Sequence, residues 1–179
     1  MTALTIDAPR TALLVIDLQV RIVGRETGPV TGAHVVREAM RLAEAFRGNG
    51  GLVVIVQAER PDVPEQPPGS ELVDEMEPRP GDLLITKRAW DAFHGTGLHD
   101  KLQKQGIATV AVAGLMTNAG VESTARSASD HGYEVVFPQD AMASFDAGMH
   151  TFAVERIFPL LGTVTTTGDL LAALRPKSG

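Results

Sequence analysis

The chain has 179 residues, a net charge of −6, 44% hydrophobic residues and no cysteine. This length suffices for one sizeable hydrophobic core and is short for two, so we expect a single domain over residues 1–179. Scattered Lys and Arg residues on an acidic chain argue against nucleic acid as the main partner. The absence of cysteine excludes disulfides, thiolate metal sites and a thiol nucleophile.

Targeting and membrane segments are not predicted. Residues 1–10 lack the basic start and long apolar stretch of a secretory signal, and no apolar run approaches the roughly 20 residues of a membrane span. We therefore expect a cytoplasmic protein that does not bind a membrane.

Apolar runs alternate with helical patterns along the chain. Residues 11–17 form a continuous apolar run closed by Asp17, which is typical of a strand buried on both faces. A loop over 24–31 precedes a helix over about 32–47, which ends at the glycine-rich residues 48–51. A second buried strand is predicted over 52–57.

The proline-dense residues 59–81 cannot supply a regular strand, so they predict a long surface loop with at most a helical turn at 70–76. A loop at 87–95 and a turn at 140–144 are also predicted, and Pro159 falls just past a helix end. The remaining strands are predicted at 82–86, 107–113, 134–137 and 163–165, and the remaining helices at 98–105, 118–131, 147–158 and 168–174.

Strands that alternate with helices predict parallel pairing through right-handed crossovers, and hence a three-layer α/β sandwich with a mostly parallel sheet of about six strands. Asp17, Lys87 and the turn at 117–120 then fall at the carboxyl ends of strands. Open α/β sheets bind ligands at this edge, so three separate segments are expected to meet in one crevice.

Gly120 is unusual because it is predicted in the first turn of a helix, where Gly costs about 1 kcal/mol relative to Ala. Its presence indicates that another group approaches the backbone closely, either a packed chain segment or a substrate. Free N–H groups at such a helix start favour anions.

Asp17 alone could cap a turn, and Lys87 alone could be a solvated strand end. Together, a carboxylate and an ammonium facing a helix start would form an acid/base pair beside an anion-binding corner. We therefore favour the functional interpretation of the pair.

Three segments resemble the isochorismatase-like (cysteine hydrolase) superfamily in order and spacing: Leu-Val-Ile-Asp-Leu-Gln at 14–19, Ile-Thr-Lys-Arg-Ala-Trp-Asp-Ala-Phe-His-Gly-Thr-Gly-Leu at 85–98, and Ala-Gly-Leu-Met-Thr-Asn-Ala-Gly-Val-Glu-Ser-Thr-Ala-Arg-Ser-Ala at 113–128. The resemblance covers nearly the whole chain and implies a Rossmann-like fold. Nicotinamidases, N-carbamoylsarcosine amidases and isochorismatases belong to this superfamily.

In the amidase members of the superfamily an Asp, a Lys and a Cys form the catalytic triad. The resemblance places the first two on Asp17 and Lys87, and the cysteine position on Gly120. Without a thiolate, no covalent acyl intermediate can form here. Isochorismatases also carry Gly at that position and hydrolyse an enol ether without a covalent intermediate, which implies Asp17 as general acid and Lys87 as its orienting partner.

The resemblance also implies a non-proline cis peptide at Leu115–Met116, whose neighbouring N–H joins that of Gly120 in an oxyanion hole. Trp90 and Phe93 either line the pocket or pack the loop, and His94 and His99 are expected on a loop or helix surface. The predicted substrate contacts are Gln19, Trp90, Phe93, Leu115, Met116 and Thr117.

No metal or other cofactor is expected, because residues 57–61 lack the histidine that nicotinamidases use near the second strand. The resemblance further implies a homo-oligomer, a dimer or larger. The sequence thus predicts a hydrolase of a small polar metabolite that acts on an enol ether through Asp17 and Lys87. Alternatives are a catalytically silent relative that binds a small ligand or builds an oligomer, and an amidase relative lacking its nucleophile.

Overall fold

The computed structural model describes residues 4–175 and contains a seven-stranded sheet with helices on both faces. The strands are β1 (Ile6–Asp7), β2 (Thr11–Ile16), β3 (Leu52–Ala58), β4 (Leu83–Lys87), β5 (Thr109–Leu115), β6 (Glu134–Pro138), β7 (Met142–Ala143), β8 (Thr163–Thr165) and β9 (Leu174–Arg175). The α-helices are α1 (Val20–Val23), α2 (Gly32–Gly48), α3 (Leu98–Lys104), α4 (Glu122–Asp130), α5 (Ala147–Phe152), α6 (Phe158–Leu161) and α7 (Thr167–Ala173).

The order of the strands determines where a ligand can bind. The main sheet runs β4-β3-β2-β5-β6-β8, β7 pairs with β5, and all of these pairs are parallel. The chain moves outward from β2 through β3 to β4 and then returns to β5 on the other side of β2. The direction of winding therefore reverses between β2 and β5, which is the position where open α/β sheets hold their ligands.

The central position of strand β2 in the sheet explains why its sequence is an uninterrupted apolar run. All six of its residues are buried. Leu13 and Val15 pack in the hydrophobic cluster that contains residues of α2 and α7, whereas Leu14 and Ile16 pack in the cluster that contains residues of α3 and α4. Successive side chains of a strand point to opposite faces, so a strand covered on both faces needs apolar residues at every position.

The predicted α/β fold with a mostly parallel sheet is confirmed, but the strand count and several boundaries differ. The main sheet has seven strands rather than about six, because residues predicted as a turn include β7, which pairs with Gly114 and Leu115 at the end of β5. A separate two-stranded parallel sheet joins β1 to β9, with Ile6 opposite Leu174. Helix α1 begins directly after Gln19, where no helix was predicted.

Two predicted helices are interrupted. The helix predicted over 118–131 starts as a π-helical stretch, Thr117–Val121, in which Ala119 has a non-helical backbone (φ −125°, ψ −105°) before α4 continues the chain. The helix predicted over 147–158 is α5, a π-helical stretch Ala153–Ile157 and α6. Pro159 lies inside the first turn of α6, where its missing N–H removes no helical hydrogen bond.

The proline-dense segment contains a single 3₁₀ turn, Asp74–Met76, instead of a turn beginning at residue 70. No helix among residues 4–175 combines the length and the apolarity that crossing a bilayer requires.

Gly114 allows β5 to approach β2 at the carboxyl edge of the sheet. It pairs with Ile16 and has a φ of 118°, a value that side-chain-bearing residues rarely adopt. A Cβ at this position would lie 2.2 Å from the backbone oxygen of Ile16. Only glycine therefore fits where the two central strands meet.

We expect Gly114→Ala to lower the free energy of unfolding by about 3 kcal/mol or more, because the variant combines an unfavourable φ with overlap against the Ile16 carbonyl. Urea denaturation measures the change. Gly48→Ala is the matched control, since a Cβ at the end of α2 meets no atom within 4 Å. Equal stability of the two variants would contradict the close approach of β5 to β2.

Candidate active site

A buried ion pair lies at the carboxyl edge of the sheet. Asp17 follows β2 and Lys87 ends β4, and the Lys87 Nζ atom lies 2.9 Å from Asp17 Oδ2. Lys87 Nζ also donates to the backbone oxygens of Trp90 at 2.8 Å and Ala89 at 3.3 Å. An ammonium has three N–H donors, so all three are used. Lys87 is therefore held in one position, and Asp17 is its only charged partner among residues 4–175.

The backbone at Asp17 places its carboxylate in this pair. Asp17 has a left-handed φ of 54°, a conformation that Asp adopts more readily than most residues. Its N–H donates to the Val56 oxygen at 2.9 Å, and its own oxygen accepts from Gln19 N–H at 2.9 Å. These bonds anchor the turn between β2 and α1, so the orientation of the carboxylate follows from the backbone.

The two oxygens of Asp17 have different environments. Oδ2 contacts Lys87, whereas Oδ1 is buried and has no hydrogen-bond partner within residues 4–175. Burial raises the pKa of Asp17 from 3.8 to about 6, and the positive charges of Lys87 and, more weakly, Arg21 oppose that rise. A carboxyl with this pKa is protonated in a substantial fraction of molecules in mildly acidic solution, and its unpaired oxygen can carry the proton.

Gly120 lies beside the ion pair. A Cβ built on Gly120 would be 3.2 Å from Asp17 Oδ2 and 3.3 Å from Lys87 Nζ. Two reasons for a glycine were considered, a packed chain segment and a substrate, and the structure is compatible with both. The Ile16 side chain lies 3.2 Å from the built Cβ, and Gly120 also lines a cavity. The backbone therefore occupies the position from which a longer side chain would contact both charged groups.

A cavity of about 310 Å³ opens beside these groups. This volume is at the lower end of the range for small-molecule sites. Of the residues predicted for the site, the cavity is lined by Asp17, Lys87, Gly120, Trp90, Leu115 and Met116. The peptide bond between Leu115 and Met116 is cis.

Gln19, Phe93 and Thr117, which were predicted to contact the substrate, do not line this cavity. The Gln19 side chain bonds the N–H and the oxygen of Ala58, both at 2.9 Å, and the oxygen of Ser70, so it ties β3 to the proline-dense segment. Phe93 is buried in the core, and its ring lies 5.2 Å from that of His131.

Thr117 and its neighbour Asn118 brace the turn that carries Gly120. Thr117 Oγ1 is 2.8 Å from His150 Nδ1, and burial lowers the pKa of His150. Ser144 Oγ donates to Asn118 Oδ1. These two bonds connect the turn to the segment around α5, and the sequence offered no local signal for either.

The histidines predicted to be unrelated to the chemistry lie elsewhere. His94 is exposed on a loop, and His99 stacks on His131 with ring centres 4.2 Å apart. Among the described residues, no three His, Asp or Glu side chains are grouped closely enough to hold a metal ion. The expectation of a site without metal stays a prediction.

Sequence reasoning missed the cationic wall of the cavity, which contains Arg21, Arg25, Arg60 and Arg88, and it missed Phe145. Arg21 and Arg25 lie four residues apart, just after the Asp17 motif, and both are near α1. This spacing was the one feature of the sequence that could have indicated the cationic wall. Arg60 lies in the segment after β3, whose path could not be inferred from its prolines.

Comparison with known proteins identifies the family of this fold and site. Residues 11–169 match the isochorismatase domain. The chain belongs to the isochorismatase family. It is 36% identical to the uncharacterised isochorismatase family protein YwoC of Bacillus subtilis over 98% of this chain and 100% of that protein. The isochorismatase family protein of Burkholderia thailandensis has a solved structure that superposes with a TM-score of 0.86 at 36% identity, covering 96% of this chain and 98% of that one.

Another relative is named for the reaction that it catalyses. The streptothricin hydrolase of Streptomyces noursei is 37% identical over 75% of this chain and 50% of its own length. The family match and such relatives identify this protein as a hydrolase.

We expect Lys87→Met to raise the pKa of Asp17 further above about 6, because the variant removes the charge and the hydrogen bond that oppose burial. NMR titration of the Asp17 carboxyl carbon measures this shift, and Lys104→Met on the exposed end of α3 is the matched control.

The same substitution has a defined effect on stability. Since the folded pKa of Asp17 exceeds its ordinary 3.8, the stabilisation that protonated Asp17 contributes is complete below about pH 4 and is lost as pH rises through about 6. Lys87→Met extends this loss to higher pH, with a destabilisation of about 3 kcal/mol at neutral pH from the unpaired buried charge. An Asp17 pKa that stays unchanged or falls would contradict the electrostatic role of Lys87.

Proposed function

We propose that this isochorismatase-family protein hydrolyses a small polar metabolite of the enol-ether type by general acid catalysis at Asp17, without a covalent intermediate. One observation carries the proposal. Asp17 lines the cavity with one oxygen bound to Lys87 and the other buried without a hydrogen-bond partner among the described residues. This arrangement suits a carboxylic acid, because the oxygen without a partner can carry a proton and the carboxyl group lies on the lining of the cavity.

The proposed first step transfers the proton of the Asp17 carboxyl group to the terminal carbon of the enol ether. The π electrons of the double bond form the new C–H bond, and an oxygen lone pair forms the oxocarbenium ion. Asp17 becomes a carboxylate at this moment, and the Lys87 ammonium at 2.9 Å stabilises the new charge. Lys87 needs no movement, because its three donors are already in place.

The second step adds water to the oxocarbenium ion. Of the two protons of the added water, one returns to the Asp17 carboxylate and the other moves to the ether oxygen of the hemiketal. The bond between that oxygen and the hemiketal carbon then breaks, which releases an alcohol and a carbonyl product. No side chain becomes attached to the substrate. A thiol intermediate is excluded because the chain contains no cysteine and the residue beside the ion pair is Gly120.

The family also supports a second candidate reaction, amide hydrolysis. The position of a Cβ on Gly120, within 3.3 Å of both Asp17 Oδ2 and Lys87 Nζ, favours it geometrically, because a cysteine there would touch both charged groups. This chain lacks that cysteine, so the enol-ether reaction fits its residues better. A homo-oligomer and a cytoplasmic location stay predictions.

We expect Asp17→Asn to reduce kcat/KM by about 10²- to 10⁴-fold, the usual contribution of a general acid. Isochorismate, other small enol ethers and small amides form the substrate screen. Asp130→Asn, on the exposed end of α4, is the matched control and should retain activity. Full activity of Asp17→Asn on every turned-over substrate would remove the catalytic proposal and favour a catalytically silent binding protein.

The pH profile tests the protonation state. If protonated Asp17 is the acid, kcat/KM falls about tenfold per pH unit above about pH 6, because the protonated fraction decreases there. A rate that instead rises through pH 6 would assign Asp17 as a base. The pH profile is measured with the wild-type protein and with Asp130→Asn. Both proteins should show the same decrease of kcat/KM with rising pH.

We expect Gly120→Cys to introduce a thiol that iodoacetamide alkylates, whereas the wild-type chain has no cysteine to react. Enol-ether hydrolysis should decrease at least about tenfold, because the new side chain crowds Asp17 and Lys87 at distances that require neighbouring atoms to shift. Mass spectrometry measures alkylation, and Gly48→Cys on α2 is the control for thiol reactivity away from the cavity. Unchanged hydrolysis in Gly120→Cys would place the reaction elsewhere.

A further inference from the structure

A hydrogen bond between two residues outside the cavity supports part of the cavity wall. Thr117 begins the π-helical stretch Thr117–Val121, which we call the Gly120 turn, and its Oγ1 lies 2.8 Å from His150 Nδ1. Ala119 and Gly120 of this turn line the cavity, whereas Thr117 and His150 do not. The bond therefore supports the turn without itself contacting a ligand in the cavity.

Both partners of this bond are buried. Thr117 has no exposed surface, and His150 is 6% exposed. Burial lowers the pKa of His150, so its ring is neutral at neutral pH. A neutral imidazole has one N–H donor and one acceptor nitrogen, and a hydroxyl can serve as donor or acceptor. Thr117 and His150 therefore satisfy each other without a buried charge, and separating them would leave a buried polar group without its partner, which is unfavourable.

The backbone of the Gly120 turn departs from a regular helix. Ala119, directly before Gly120, has a non-helical backbone with φ −125° and ψ −105°. The N–H groups of Ala119 and Val121 both donate to the oxygen of Met116, at 3.0 Å and 3.3 Å. In a regular α-helix each N–H donates instead to the oxygen four residues earlier. Side-chain hydrogen bonds therefore contribute to where Gly120 lies.

His150 is itself fixed within the segment that carries another wall of the cavity. It lies on α5, which the side chain of Asp146 caps, and its own N–H donates to the Asp146 oxygen at 3.3 Å. Ser144, just before this cap, donates to Asn118 in the Gly120 turn, and the next residue, Phe145, lines the cavity. The two side-chain bonds therefore join the Gly120 turn to the segment that carries Phe145.

We propose that His150 is a positioning residue, which through its hydrogen bond with Thr117 holds the Gly120 turn in place beside the Asp17–Lys87 pair. The inference rests on the proposed function, because it assigns His150 to the same reaction. A Cβ built on Gly120 lies within 3.3 Å of both charged groups, so a small displacement of the turn changes the surroundings of both. Reacting groups need such support, because catalytic geometry has to be held to within about 0.5 Å.

Thr117→Val removes the hydroxyl at nearly constant volume and tests the bond directly. On a substrate from the screen, kcat should fall about 10- to 100-fold while KM changes by no more than about threefold, since neither partner lines the cavity. His150→Leu should have the same effect, and the double variant should be no worse than either single variant, because both remove one bond. Thr117→Ser and His150→Asn, which can keep the bond, should retain kcat within about fivefold of wild type.

Tyr133→Phe is the matched control. The Tyr133 hydroxyl lies 2.9 Å from His99 Nδ1, and Tyr133 is 5% exposed and does not line the cavity. This variant also loses a hydroxyl–imidazole bond, so it should lower the urea midpoint as Thr117→Val does but leave kcat unchanged. If Thr117→Val does not fold, Ser144→Ala removes the other side-chain bond to the turn and should lower kcat in the same way.

NMR titration of the Asp17 carboxyl carbon tests the positioning role without turnover. A displaced Gly120 turn would admit water to the buried carboxyl, so the pKa of Asp17 in Thr117→Val should fall below about 6. In Tyr133→Phe the pKa of Asp17 should stay at its wild-type value.

The inference is overturned if Thr117→Val and His150→Leu destabilise the protein as Tyr133→Phe does but leave kcat and the pKa of Asp17 unchanged. Additive losses of kcat in the double variant would also overturn it, because the two residues would then act independently. A lowered pKa of Asp17 in Thr117→Val, together with full activity of Asp17→Asn, would support the positioning of the turn and count against the proposed reaction alone.

Discussion

The site depends on one constraint, the burial of a carboxylate against an ammonium, which form a salt bridge only with each other among residues 4–175. Asp17 and Lys87 lie 70 residues apart in the sequence but 2.9 Å apart in space. Burying a charged pair is unfavourable unless the geometry is good and the remaining donors are satisfied. Lys87 meets that condition with two backbone oxygens, whereas Asp17 leaves one oxygen unsatisfied.

The two members of the pair therefore differ in how completely the protein holds them. The lysine is held completely by the protein, so it acts as a fixed positive charge. The aspartate is held on one side only, because its other oxygen is buried without a hydrogen-bond partner among residues 4–175. Burial and the Lys87 charge act in opposite directions on the pKa of Asp17, and the balance near 6 allows both protonation states within the range of ordinary cellular pH.

The sequence predicted the parts of this arrangement that have local signals. A continuous apolar run such as 11–17 predicts a strand covered on both faces, and the alternation of such runs with helices predicts the parallel sheet whose carboxyl edge brings Asp17 and Lys87 together. The resemblance of the motifs placed Gly120 beside both groups. The strands and the meeting of Asp17 and Lys87 needed only the period of the pattern and the direction of the strands, whereas the position of Gly120 came from the resemblance.

What the sequence could not predict depends on contacts between distant residues. Strands β1 and β9 each have two residues and form only because Ile6 meets Leu174 near the other end of the described chain. Gln19 and Arg21 both follow β2, but of the two only Arg21 lines the cavity. The side-chain amide of Gln19 donates instead to the Ser70 oxygen, in the proline-dense segment. No pattern in residues 59–81 predicts that path.

Gly120 affects both the ion pair and the space that the cavity offers to a ligand. A side chain at this position would occupy the space where the ion pair meets the cavity. Its absence removes a nucleophile and leaves Asp17 on the lining of a cavity that Arg21 also lines. A negatively charged ligand in this cavity would place negative charge near Asp17, and negative charge favours the protonated form of a carboxyl group. Binding of such a ligand would therefore raise the pKa of Asp17 above its value in the free protein.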